Sequence, residues 1–181
     1  MYIKLSKLTL IVLSLIILPL ANLSAVTFES GESVHISNLH QIEDDLFIWS
    51  ENATIDGLIY GDLIAGGFKV KINGQIKYSA NIFAYNFDHT GKIKGSLRFA
   101  GHSSSIDGYI GRSAVLIGSD ITLGKKGVIA NDLVVLGKEI NLNGTVEGNT
   151  KAKGAKIYLT GTFEGDVNLQ GENIEEYLYI N

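Results

Sequence analysis

Apolar residues in this chain recur with a period of 17, and one column of glycines makes the period legible. Gly57, Gly74, Gly91, Gly108, Gly127, Gly144 and Gly161 stand at separations of 17, 17, 17, 19, 17 and 17. Two residues after each come Ile59, Ile76, Ile93, Ile110, Ile129, Val146 and Phe163, all apolar. Further columns lie at offset six (Leu63, Leu97, Leu133, Val167), eight (Ala65, Ile82, Phe99, Leu116, Val135, Leu169), thirteen (Val70, Phe87, Ile121, Ile140, Ile157, Ile174) and fifteen (Ile72, Ile106, Leu123, Leu142, Leu159). Polar residues and glycine fill most positions between them. Two-residue steps place apolar side chains on one side of a strand, and a fixed period with alternation inside each unit marks a solenoid.

These columns predict an all-β chain, a single-stranded parallel β-helix of seven to eight 17-residue coils with three short sides each. Every residue would stack on its equivalent about 4.8 Å away. Glycine, Asn, Asp and Ser between the short strands predict corners, where positive φ or side-chain turn bonds are expected. The single interval of 19 predicts a bulged corner at Gly124-Lys125-Lys126, because loops tolerate insertion and ladders do not. Upstream, Ile42, Leu46, Ile48 and Ile55 fit an additional N-terminal coil that acts as a cap. The β-helix is therefore expected over residues 42–174, between an N-terminal flank at 26–41 and a tail at 175–181.

The first 25 residues follow another plan. Lys4 and Lys7 precede an apolar run from Leu8 to Leu20, and small or polar residues lead to Ala25. A basic start, a short apolar stretch and small residues at a cleavage point form a secretory signal peptide. Cleavage is expected after Ala25, leaving 181 − 25 = 156 residues exported to the periplasm or cell envelope. The alternative is an uncleaved segment anchoring the chain in the inner membrane. The chain has no cysteine, so no disulfide reinforces the core. Its 21 glycines with 1 proline suit strands joined by tight turns.

Candidate chemistry is sparse. Gly118 to Lys126 has a superficial likeness to a phosphate-binding loop, but Lys126 stands where a magnesium-holding hydroxyl is required, so no nucleotide cofactor is expected. Of the four histidines, His89 falls on an inward column and reads as a core or corner residue. The others lack the coil spacing that stacked metal ligands would show. Asp62, Asp132, Asn149 and Asp166 share a column, which reads as a turn column rather than a calcium or catalytic site. Residues 26–68 hold 8 acidic and no basic residues, whereas Lys69 to Lys156 hold 13 basic and 6 acidic. That distribution offers a basic waist to an anionic surface. No aromatic stripe accompanies these lysines, so nucleic acid is not expected as a partner.

The units Ile-Asp-Gly-Leu-Ile-Tyr-Gly-Asp-Leu-Ile-Ala-Gly (55–66), Leu-Asn-Gly-Thr-Val-Glu-Gly-Asn (142–149) and Leu-Thr-Gly-Thr-Phe-Glu-Gly-Asp-Val (159–167) resemble those of the bactofilins. The resemblance spans residues 44–174 and implies a right-handed β-helix that polymerises end to end without nucleotide, as a scaffold for envelope or shape-determining partners. The signal peptide departs from the family, whose usual members face the cytoplasm. For a homopolymer, the candidate self-association residues are Leu46 and Ile48 at one end and Phe163, Leu169 and Ile174 at the other. The competing reading is an exported binding module, an adhesin or polysaccharide-binding rod. That reading needs an exposed aromatic or polar stripe, which the columns do not outline. A carbohydrate-active β-helix enzyme would need longer coils with loops around a cleft.

The three-part N-terminus predicts a mature chain that begins near Val26 and lies outside the cytoplasm. N-terminal sequencing of fractionated cells checks this, and intact Met1 on a soluble cytoplasmic pool would contradict it.

Overall fold

The computed structural model describes residues 26–176, and none of these is helical. The leader at 1–25 and residues 177–181 lie outside the described residues. Nine rungs stack in parallel: Val26–Ile36, Asp45–Ile55, Leu63–Ile72, Ala80–His89, Leu97–Ile106, Ala114–Ile117 with Asp120–Leu123, Leu133–Leu142, Thr150–Leu159 and Val167–Glu176. Each rung bends at its middle and so supplies two sides of the coil. Two-residue strands, from Gln41–Ile42 through Tyr109–Ile110 to Thr162–Phe163, form a second sheet on the third side. Partners are 17 residues apart, as in Leu63↔Ala80 and Ile76↔Ile93.

The irregular interval falls where the sequence places it. Leu123 still pairs with Ile106 at a separation of 17, whereas Val128 pairs with Tyr109 at 19. Between them the amide of Gly127 donates to the carbonyl of Gly124 at 2.9 Å, closing a local turn that absorbs the extra residues. All five apolar columns point inward, and their central members, such as Ile76, Ile82, Leu97, Ile110 and Ile140, are fully buried. Phe87 and Phe99 stack inside at 5.6 Å between ring centres.

Two expectations change. The solenoid starts at Val26, not at residue 42: the flank pairs with the next rung from Val26↔Asp45 to Ile36↔Ile55. There are thus about nine turns rather than seven to eight. Thr27 and Glu29 stand in this rung where later rungs carry aliphatics, which hides its period. The column glycines also serve another purpose than the one expected. None of them has positive φ; the only glycines that do, among the described residues, are Gly31 and Gly67. At Gly74, Gly91, Gly144 and Gly161 a Cβ would instead run into the carbonyl oxygen of the equivalent glycine one turn earlier. The corner is backbone packed on backbone, and only glycine leaves the space.

His89 sits in the offset-fifteen column, fully buried and stacked on Phe87 at 6.3 Å between ring centres. Its Nδ1 lies 3.3 Å from the carbonyl of Ile72 and its Nε2 3.4 Å from that of Tyr109. A neutral imidazole has one N–H and can donate to only one of them. Burial nonetheless dominates: it holds the His89 pKa below the ordinary 6.5, against the two carbonyls, which favour the proton.

Two outcomes follow from this core. Ile110→Asp places an unpaired carboxylate in the ladder at a cost of several kcal/mol, comparable with the whole stability of a domain, and should unfold or aggregate the chain. Asp107→Asn, on a corner, should melt like the wild type; equal melting of the two variants would refute the register. The second outcome concerns pH. As pH falls through 6.5, the unfolded chain takes up a proton on His89 that the fold refuses. Stability therefore declines from about pH 6.5 downward until the lowered folded value is reached, by at most about 1.4 kcal/mol per pH unit. Thermal melts of His89→Leu between pH 7.5 and 5.5 should show a shallower slope than the wild type.

Candidate assembly surfaces

The two ends of the solenoid differ in what they leave uncovered. At the N-terminal end the first rung covers Leu46 and Ile48, which are buried, so these two residues lie one turn inside the molecule rather than at its open end. The rung that takes the terminal place carries Thr27 above Leu46 and Glu29 above Ile48. An inward-facing charge on a terminal strand opposes edge-to-edge pairing. Val34 and Ile36 remain buried within this rung.

At the C-terminal end no such substitution occurs. Val167, Leu169 and Ile174 continue the inward columns of Thr150, Ala152 and Ile157. Val167 and Ile174 are 39% and 40% exposed, while Leu169 and Phe163 are only partly buried against the core. Phe163 completes the short-strand sheet through its pairing with Val146. Three of the sequence-predicted residues, Phe163, Leu169 and Ile174, thus meet on one end face. Val167 belongs with them, and its place in the offset-six column of the last coil was the available signal.

The corner columns are turn ladders. Asp45 accepts from the amide of Asp62 at 2.7 Å, Asp62 from that of Ser79 at 2.7 Å, and Ser79 from that of Ser96 at 3.1 Å. Lower down, Asp132 accepts from the amide of Asn149 and Asn149 from that of Asp166, at 2.9 and 3.0 Å. Each side chain satisfies a backbone donor one turn on, which occupies the oxygens that a cation would need. A second ladder runs from Asp56 through Asn73 to Thr90 at 2.8 and 2.9 Å. Hydrogen bonds from Asn73 and then from His35 hold the Asp56 pKa below 3.8. No cluster of three potential metal-ligating side chains occurs among the described residues.

The outward positions of the first half of each rung form a surface that the inward columns conceal. Offsets seven and nine place Phe47 and Trp49, Ile64 and Gly66, Asn81 and Phe83, then Val115 and Ile117, Val134 and Leu136 on one flat side. Phe28 stacks on Phe47 at 5.1 Å, and the Trp49 indole lies over Gly66. Phe28, Trp49 and Phe83 are 75%, 72% and 55% exposed. The other two sides are polar or mixed, with Lys69 beside Asp88 at 3.5 Å and Lys77 over the ring of Tyr60. An apolar stripe therefore exists, contrary to the expectation from the columns.

A family model described as bactofilin, polymer-forming cytoskeletal, matches residues 87–181, from the end of the fourth rung through the C-terminus. No curated protein and no solved structure matches the chain. The matched segment carries the glycine corners, the turn ladders and the open C-terminal face. With more than half of the sequence matched and a parallel β-solenoid of 17-residue turns beneath it, the chain belongs to the bactofilin family.

Proposed function

We propose that this protein is a non-catalytic structural element whose copies associate through the solenoid ends into filaments or oligomers that need no nucleotide. The observation that carries the reading is the uncapped C-terminal face, where Phe163, Val167, Leu169 and Ile174 leave inward columns open beside a strand edge. Backbone donors and acceptors on that edge, together with apolar ladders, offer another copy both register and driving force. The N-terminal end, bearing Thr27 and Glu29, contributes edge pairing with less apolar gain, so contacts at the C-terminal face form first. With the leader at 1–25, the assembled rod serves as a scaffold at the envelope, and the basic waist is the surface that would hold an anionic component there.

Phe163→Arg should keep the fold, because the side chain is only partly buried, and should abolish assembly. Glu164, Asp166, Glu172, Glu175 and Glu176 crowd the C-terminal end, so wild-type assembly should strengthen as salt screens them. Light scattering and negative-stain images across a salt series check both outcomes, with circular dichroism reporting the fold. A wild-type chain that stays monomeric at every ionic strength would overturn the reading.

A further inference from the structure

We infer that the apolar side of the solenoid is a lateral interface for a second copy of this chain, lying antiparallel across a two-fold axis between the fourth and fifth rungs. This contact is separate from association through the ends. The choice of occupant rests on how bulk and charge are distributed along the side. Its N-terminal half is aromatic (Phe28, Phe47, Trp49, Phe83) and its C-terminal half is built from Val115, Ile117, Val134 and Leu136 with Ala100. The aromatic half encloses a hollow of about 300 Å³ floored by Ile64 and Gly66. The other half carries a groove of about 750 Å³ between Leu136, Gly137 and Gly154, edged by Lys138 and Lys153.

A two-fold axis at that height sets the first rung opposite the eighth, the second opposite the seventh, the third opposite the sixth and the fourth opposite the fifth. Bulky groups then face small ones: Phe83 meets Ala100 and Ile117 enters the hollow over Gly66. Trp49 meets Leu136 beside the glycine groove. The axis lies across the solenoid, so each corner keeps its side, and Glu51 of one copy comes opposite Lys138 of the other. Phe28 comes opposite Lys151, an arrangement suited to a cation–π contact. A parallel pair would instead set Trp49 against Trp49 and bring Glu51 toward the corner of Asp44 and Asp45, acid against acid. Residues 26–68 contain no base to relieve that. Complementary charge and shape therefore select one orientation and one partner.

The shared surface measures about 34 by 14 Å, which buries roughly 950 Å² over two copies at strand spacing, less than the ~1,200 Å² of a stable pair. Isolated pairs are weak, and copies already joined through their ends bind laterally in register, since each added subunit contributes another contact.

The chain has no cysteine of its own, so introduced thiols report the contact directly. Full-length Trp49→Cys and Leu136→Cys chains are mixed under mild oxidation, at the concentration where the wild type pellets or else at its highest soluble concentration. The mixture should form a disulfide-linked dimer at least tenfold faster than either variant alone. In the antiparallel pair, two Trp49 positions are about five rung spacings apart, roughly 24 Å. Both positions lie far enough from the solenoid ends that end-to-end contacts cannot join them. Glu51→Cys with Lys138→Cys, at the corner outside the apolar contact, guards against loss of the interface by the first pair and should behave the same way. Rapid linking of Trp49→Cys alone would mean a parallel pair and overturn the proposal. Mixtures of both pairs that link no faster than the single variants would mean that another molecule covers this side, and would overturn it as well.

Discussion

Register is the constraint on which everything else in this molecule depends. Each backbone amide and carbonyl of a rung is satisfied by the rung before and the rung after, at a separation of 17 residues, so a residue type placed once on a side is placed there for good. The glycine corner enforces that spacing sterically. Where Gly74 stacks on Gly57 and Gly91 on Gly74, main chain touches main chain, and no side chain can be accommodated without spreading the turns. The turn ladders enforce it by hydrogen bonding, since a carboxylate or hydroxyl of one turn binds an amide of the next. Aliphatic columns supply the bulk of the stabilising burial, but they would tolerate sliding by a turn. The corners do not.

The inward half of this architecture was legible in the sequence because burial imposes one residue class on every member of a column. Ile59, Ile76, Ile93 and Ile110 announce themselves, and the insertion at Gly124 is legible because the columns resume in step after it. The outward half was not. Side chains facing solvent obey no common rule, so Phe28, Trp49 and Phe83 look like scattered exceptions until the rungs are superposed. The first rung escaped for a related reason: Thr27 and Glu29 occupy inward positions that elsewhere are aliphatic, since at a terminal turn they face solvent on one side. Leu46 and Ile48 were in consequence assigned to an end that another strand covers. Phe163, Leu169 and Ile174 were placed correctly on the last turn, where no further repeat follows.

His89 and the buried hydroxyls of Ser104 and Thr150 mark where polar residues intrude on aliphatic columns. The hydroxyls find no hydrogen-bond partner inside, a cost of about 1–3 kcal/mol each. His89 has two carbonyls at the limit of hydrogen bonding. These intrusions are spread over different columns and turns, which leaves every ladder mostly aliphatic and lets neighbouring turns compensate. The polar ladders gather at the corners instead, where water reaches them and where their oxygens meet backbone donors.

The constant separation of 17 also bears on how quickly the chain finds its shape. A β-protein ordinarily folds slowly because its strands come from distant parts of the sequence and each pairing must close a long loop. Here every rung pairs with its neighbour in the chain, and 17 over 181 residues gives a relative contact order of roughly 0.09, within the range of helical bundles. Loop closure costs the same for the last turn as for the first. Once two turns have met, each further turn winds onto an edge already formed, so the solenoid can grow from any starting pair and fray from either end, one turn at a time.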